Sequence, residues 1–290
     1  MVDPIALIKD SVAAFIEDDA LSRGASIAFY AVTSMAPVLV IIVAIGGLVF
    51  GEDAARGELA AQLGGVMGDD SAKFVQDVVA HAATHGSGTL AGIFGVVALV
   101  VTASGVFGEI QAALNAIWKA APRGTTLWRL VRARLVSLGL VAGLGCLLLL
   151  SLGISTGLAV LGQSLGDLGA AEVWLGQLLN FAVSFLVIAL LIGAIYKILP
   201  DTEIAWHPAL IGAMVTAFLF EIGKFLIGFY LGRVAPSSAY GTAGSLLIIL
   251  LWTYYSAQIF LLGAEFTKVF AGHTSRWQDG KLQPSDGPPG

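Results

Sequence analysis

The chain has 290 residues, of which 57% are hydrophobic and 12% charged, with 36 glycines, one cysteine and a formal net charge of -5. Its mean hydropathy is +0.86. Soluble domains are about a quarter charged, so this composition cannot furnish an ordinary water-facing surface and excludes a soluble enzyme of normal make-up. The acidic balance speaks against a basic nucleic-acid face, and the lone Cys146 excludes a disulfide framework or thiolate metal cluster.

In chain order, the first 22 residues predict a cytoplasmic amphipathic helix. Ile5, Ile8, Val12, Phe15 and Ile16 recur at helical spacing, with Asp10, Glu17, Asp18 and Asp19 on the other sides. Long windows without Asp, Glu, Lys or Arg follow, from Gly24 to Gly51, Gly86 to Gly108, Leu135 to Gly166, Val173 to Tyr196 and Val234 to Ala264. A further window, Ile204 to Leu231, is broken only by Glu221 and Lys224. A spanning helix needs about 20 mostly apolar residues. Six are therefore expected, near Ile27–Phe50, Thr89–Ile110, Leu135–Leu161, Val173–Leu199, Trp206–Leu231 and Ser245–Lys268.

Basic residues orient these spans. Lys119, Arg123, Arg129, Arg132 and Arg134 lie in one connection without an acid, which makes it cytoplasmic. Threading from there puts both termini inside. Lys9, Arg23, Lys197, Lys268, Arg276 and Lys281 join the five on that side, while Arg56, Lys73 and Arg233 fall outside. The expected fold class is thus all-α, a polytopic integral membrane protein with six transmembrane helices. Residues 1–270 form one membrane domain and 271–290 a disordered tail.

The longest outer segment, 52–87, predicts two short helices. The second carries Phe74, Val75, Val78, Val79 and Ala82 on one side and Lys73, Gln76 and Asp77 opposite, so it lies on the membrane or over the bundle mouth. Asp77, His81 and His85 share a face there at a spacing that would suit a metal, but three ligands without a fourth make a weak pattern and a solvated face explains them as well. Arg233, Tyr240 and Gly241 belong to a compact outer turn between the fifth and sixth spans.

Polar residues within spans are costly unless they face protein or a water-filled cavity. Ser26, Tyr30, Thr33 and Pro37 form one stripe on the first span, and Pro37 should kink or break the helix. Ser104, Gly108, Gln111 and Asn115 form another, with Glu109 beside it, which extends the second helix to about Trp118. Tyr254, Gln258 and Glu265 share a face of the sixth. The three stripes are expected to point inward together. They read either as interhelical hydrogen bonds or as a polar cavity open to the cytoplasmic side, where Arg23, Glu109 and Glu265 lie. Glu221 and Lys224, three residues apart in the fifth span, can pair across a turn as a clamp or as part of a translocation path. Gly139/Gly143, Gly153/Gly157 and Gly228/Gly232 signal close helix contacts.

Four blocks carry a resemblance. RGASIAFYAVTSMAPVLVIIVAI (Arg23–Ile45), ASGVFGEIQAALNAIW (Ala103–Trp118), YKILPDTEIAWHPALIGA (Tyr196–Ala213) and the stretch Phe218–Phe266 resemble, in order, the YihY / virulence factor BrkB family. The resemblance implies a six-span protein of the bacterial inner (cytoplasmic) membrane. It draws attention to Arg23, Tyr30, Pro37, Glu109, Asn115, Pro200, Glu221, Lys224, Arg233, Tyr240, Gly241 and Glu265. The family's former ribonuclease label conflicts with the composition. Its other associations are virulence and serum resistance, envelope lipid or lipopolysaccharide transport, and cation/proton exchange.

The expectation from these readings is a transporter, not an enzyme, for a lipid or other amphipathic, anionic envelope molecule. Arg23, Tyr30, Pro37, Glu109, Asn115, Glu221, Lys224, Gln258 and Glu265 line its path. The alternatives are a cation/proton exchanger in which Glu221 titrates, and a non-transporting envelope scaffold. No cofactor is implied. The expected partners are membrane lipids and a second copy of the chain in a homo-oligomer, not nucleic acid.

Overall fold

A computed structural model describes residues 4–51, 105–120, 188–234 and 242–278, with isolated positions between 53 and 80 and between 182 and 186. Every extended element among the described residues is helical. These are α1 (Pro4–Glu17), α2 (Ala20–Phe50), α3 (residues 105–117), α4 (Ile188–Ile198), α5 (Trp206–Val234) and α6 (Thr242–Gln278).

Local chemistry accounts for the ends. Pro4 opens α1, where its missing N–H has no helical partner to lose and its ring presets φ. The chain leaves α1 through Asp19 in the left-handed region (φ 53, ψ 40), which a short polar side chain tolerates. Arg23 Nε donates to the Asp18 carbonyl at 3.0 Å, satisfying an acceptor at the end of α1. α3 ends through Lys119 (φ 49), with the Ala120 N–H donating to the Asn115 carbonyl at 2.8 Å. α4 stops before Leu199–Pro200, since a residue preceding proline avoids the helical region. Pro208 falls in the first turn of α5, where it removes no helical bond.

α6 is the hub, packing on α5, α2 and α1. Its seam with α5 is built from two matched motifs, Gly212-x-x-x-Thr216 and Gly263-x-x-x-Thr267. A Cβ on Gly212 would collide with Thr267, and one on Gly263 with Thr216. Each threonine returns its hydroxyl to the glycine carbonyl one turn back at 2.7 Å, Thr216 to Gly212 and Thr267 to Gly263. The helices are therefore antiparallel, with residue numbers across the seam summing to a constant. Gly223 against Tyr255 continues the register. Tyr196 of α4 seals the joint, its hydroxyl 3.0 Å from Thr216 Oγ1 and 2.6 Å from the Phe260 carbonyl oxygen.

Five helix ends converge. The start of α2, the C-terminal ends of α3, α4 and α6, and the start of α5 contribute to one buried cluster that includes Ala20, Leu114, Ile117, Tyr196, Leu199, Ala209 and Leu261. Elsewhere the exterior is oily. α5 exposes Met214, Phe218, Ile222 and Leu226 at steps of four, and α6 exposes Leu246, Leu247, Leu250 and Leu251. Segments Trp206–Gly223 and Leu246–His273 are long and apolar enough to cross a membrane.

Some expectations change. The helix does not break at Pro37 but is continuous through it to Phe50. Residues 271–278, expected within the disordered tail, are helical. α6 continues because Phe270 still packs against His207, ring centroids 6.1 Å apart, and His273 reaches Asp10 at 3.5 Å. In the outer segment Val75 is buried while Lys73 and Asp77 are exposed, as its helical pattern requires.

The glycine seam makes a direct prediction. Gly212→Leu or Gly263→Leu should lower thermal stability in detergent by about 1–3 kcal/mol, the usual range for overpacking. Gly272→Ala, where no atom lies within 4 Å of the added carbon, should be neutral or raise stability by up to about 1 kcal/mol.

Candidate functional site

At the convergence of helix ends, two buried acids are held in different ways. Asp201, in the α4–α5 connection, is buried. Asn115 Nδ2 donates to its Oδ2 at 2.8 Å, and the Asp201 N–H donates back to Asn115 Oδ1 at 2.8 Å. Gln111 Nε2 lies 3.4 Å from both carboxylate oxygens. Neutral amides from α3 thus fix the loop. Lys197 donates to the Ile204 carbonyl across the same connection, and its Nζ sits 5.9 Å from the Trp206 ring centroid.

The second acid is Glu265 on α6, whose side chain is 0% exposed. Lys268 Nζ contacts Glu265 Oε2 at 3.2 Å and Asp18 Oδ2 at 2.7 Å, so one ammonium serves two carboxyl groups from different elements. Glu265 Oε1 is buried and accepts no hydrogen bond. Lys119, at the end of α3, lies 3.9 Å from the other Asp18 oxygen. Burial alone would raise the Asp18 carboxyl. The hydrogen bond from Lys268 and the positive charges of Lys268 and Lys119 outweigh it and hold Asp18 below its ordinary 3.8.

The predicted site residues separate. Arg23, Asn115 and Glu265 lie at this end, and Gln258 lies two turns of α6 further in. Arg23 acts on the Asp18 backbone, and Gln258 Nε2 donates to the Leu21 carbonyl at 3.2 Å while its side chain fills the space a Cβ on Gly24 would need. Glu109 is half-buried on α3. The first-span stripe does not turn inward, because Ser26, Tyr30 and Thr33 are exposed. Thr33 satisfies its hydroxyl on its own helix, at the Phe29 and Tyr30 carbonyls, and Tyr30 lays its ring against Gly105. Glu221 is half-buried. By the α5–α6 register it lies level with Gln258, seven residues from the level of Glu265, about 10 Å along the axis. The acids of α5 and α6 therefore occupy two levels rather than one pocket. The side chains of Pro37, Lys224 and Arg233, and all of His81, His85, Tyr240 and Gly241, lie outside the described residues. Among the described residues no acidic, histidine or cysteine cluster could hold a metal.

Asp18, Lys268 and Asp201 were not singled out from the sequence. Asp18 reads there as part of a solvated helix side, and Lys268 as a basic span end. Asp201 lies inside the block Tyr196–Ala213 but has no helical periodicity to mark it.

Among the described residues the extended elements are helical, and two of them are long and apolar enough to cross a membrane. The family model for virulence factor BrkB matches residues 11–286, and the chain belongs to that family. It is 35% identical over 172 residues to a UPF0761 membrane protein of Ralstonia nicotianae, covering 59% of this chain and 37% of the relative. A UPF0761 membrane protein of Rhodospirillum centenum is 26% identical over 286 residues, 97% of this chain and 60% of its own length. One from a Psychrobacter species is 28% identical over 255 residues, 87% of this chain and 46% of its own. The chain thus spans between 37% and 60% of these relatives' lengths. No solved structure matches it.

Two outcomes test the site. Asn115→Ala removes both side-chain bonds to Asp201 and should cost about 1–3 kcal/mol of stability, read by thermal unfolding in detergent. Because the folded-state pKa of Asp18 is depressed, its stabilisation is complete above the ordinary value of 3.8 and is lost as pH falls through the lower folded value. Unfolding scans from pH 6 downward should therefore show a decline at the acid end that Asp18→Asn flattens.

Proposed function

We propose that the chain is a six-span, N-in and C-in protein of the bacterial inner membrane that moves a lipid or other amphipathic, anionic envelope molecule through a polar interior. The helix directions support the topology. From the convergent end α2 departs, α3 arrives, α4 arrives, α5 departs and α6 arrives, which is the order an alternating six-span chain requires when one further span joins α3 to α4. Lys119 at that end matches the positive-inside reading.

The observation that carries the transport reading is the Asp18–Lys268–Glu265 cluster. A buried acid near the end of an apolar helix is retained at an energetic disadvantage unless it works. Asp18 occupies Lys268 as an anionic headgroup would, and Lys119 and Arg23 stand beside it. On this reading the α1–α2 turn is a gate, and an incoming headgroup displaces Asp18 from Lys268. Glu221, Lys224 and Gln258, one level deeper, continue the path.

A second reading, cation/proton exchange, draws support from the buried Glu265 beside Lys268, with Glu265 or Glu221 titrating. Reconstituted vesicles separate the two. Labelled phosphatidylglycerol movement should exceed protein-free vesicles, fall about tenfold or more in Lys268→Met, where a charge-assisted contact worth at least about 1.4 kcal/mol is lost, and rise in Asp18→Asn. Lipid movement unaffected by Lys268→Met rejects the gate. A pH-driven cation flux abolished by Glu265→Gln or Glu221→Gln, without lipid movement, establishes the exchanger instead. If neither flux appears and every substitution acts only on stability, the chain is a scaffold.

A further inference from the structure

We propose that α1 is an interfacial membrane helix, lying with one apolar face in the headgroup–acyl boundary of the leaflet at the convergent end of the bundle. It has two apolar sides. Leu7 and Ser11 are buried, and α1 packs on α6. About a third of a turn round the helix from that buried face, Ile5, Ile8, Val12 and Ile16, spaced by three, four and four, are 76%, 61%, 43% and 67% exposed. Lys9, Glu17 and Asp10 follow in order round the remaining side, so one margin of the outward stripe is charged and the other adjoins the face packed on the bundle. Water would solvate that stripe unfavourably, and a narrow exposed apolar face with a charged margin is the pattern of a helix lying in a lipid interface.

The level of α1 identifies the occupant. Asp10 meets His273 at 3.5 Å and Asp18 meets Lys268 at 2.7 Å, so α1 lies beside the last turns of the apolar segment Leu246–His273. At the same level, α5 and α4 carry an aromatic and cationic belt. The rings of His207 and Phe270 pack at a tilt with centroids 6.1 Å apart, and Trp206, which is 55% exposed, lies under Lys197. Such belts mark the boundary between hydrocarbon and headgroups. The eight residues from Asp10 to Asp18, which lies in the turn just after α1, span about 12 Å against five residues of α6, about 7.5 Å, so α1 crosses obliquely rather than continuing into the cytosol. Exposed Leu21 and Phe29 carry the apolar exterior onward along α2. Four aliphatic side chains on one short helix are too little for a stable dimer, which buries about 1,200–2,000 Å². The inference rests on the membrane character of the chain and not on transport.

The test uses the full chain in nanodiscs of phosphatidylethanolamine and phosphatidylglycerol, in a Cys146→Ser background. Bimane is attached at Ile8→Cys, Val12→Cys, Asp10→Cys or Glu17→Cys. Shallow nitroxide lipid should quench the labels at 8 and 12 at least about threefold more than aqueous iodide does, with the order reversed at 10 and 17, as an interfacial depth of about 5–10 Å requires. Equal iodide quenching at 8, 12 and 17 overturns the proposal. So does stronger quenching by deep nitroxide at 8 and 12, or cross-linking between copies through Val12→Cys. Hydroxyl-radical footprinting of the unsubstituted protein gives a reading independent of labelling. Ile8 and Ile16 modified, after correction for intrinsic reactivity, no more than the outward Phe218 supports the assignment, and clearly greater modification overturns it. A failure here leaves the vesicle assays of lipid and cation movement untouched.

Discussion

Helices surrounded by lipid gain nothing from hiding apolar side chains from one another, because acyl chains are as apolar as leucine. What remains is close contact and the satisfaction of polar groups. The α5–α6 seam is built on that constraint. Gly212 faces Thr267 and Gly263 faces Thr216, so the two backbones approach as closely as the side chains allow. Each threonine spends its hydroxyl within its own helix and presents its oxygen and Cβ to the glycine opposite. Tyr196 brings α4 into the same joint. Two hydroxyl protons, those of Tyr196 and Thr216, serve three contacts, and the third is an oxygen pair sharing whichever proton is free. The convergent end of the bundle is assembled on this joint.

The rest of the polar inventory follows the same logic at larger scale. The buried acids sit where side-chain donors can reach them. Asp201 takes its donors from α3, and Glu265 takes its ammonium from one turn along α6, shared with the turn before α2. Both arrangements tie together segments distant in sequence, Asn115 with Asp201 and Asp18 with Lys268. The exterior of α5 and α6 has no such demands and is filled with leucine, isoleucine, phenylalanine and methionine.

Helix positions were legible in the sequence because charge-free length is a strong signal. The start of α5 at Trp206 follows from a window with only two charges, and the reach of α3 to Ile117 from the polar stripe Ser104, Gly108, Gln111 and Asn115. The ends that differ, Ala20 for α2 and Gln278 for α6, differ because hydropathy reports where lipid stops and not where backbone hydrogen bonding stops. The motif Gly-x-x-x-Thr is present at 212 and 263, but small residues four apart are common in this chain. Only the antiparallel register shows which two meet. Inward orientation of Ser26, Tyr30 and Thr33 could not be read from periodicity, since a threonine that bonds its own carbonyls has no need of a neighbour. Asp18 carries no sequence signal at all, because its role is defined by Lys268, 250 positions away.

The two buried acids differ in a way that bears on motion. Asp201 is held by neutral amides, in a reciprocal pair with Asn115, so pulling Asn115 away breaks two hydrogen bonds at once. Glu265 shares its ammonium with Asp18, so a departure of Asp18 leaves Lys268 still paired and Glu265 better compensated than before. Moving the α1–α2 turn therefore has a lower electrostatic barrier than moving the α4–α5 connection. Any opening of this end of the bundle should begin at Asp18, with Asp201 and Asn115 as the fixed side against which it moves. That division places the adaptable half of the site on the element whose outer face meets the lipid boundary, and the rigid half on the helices packed deepest in the bundle.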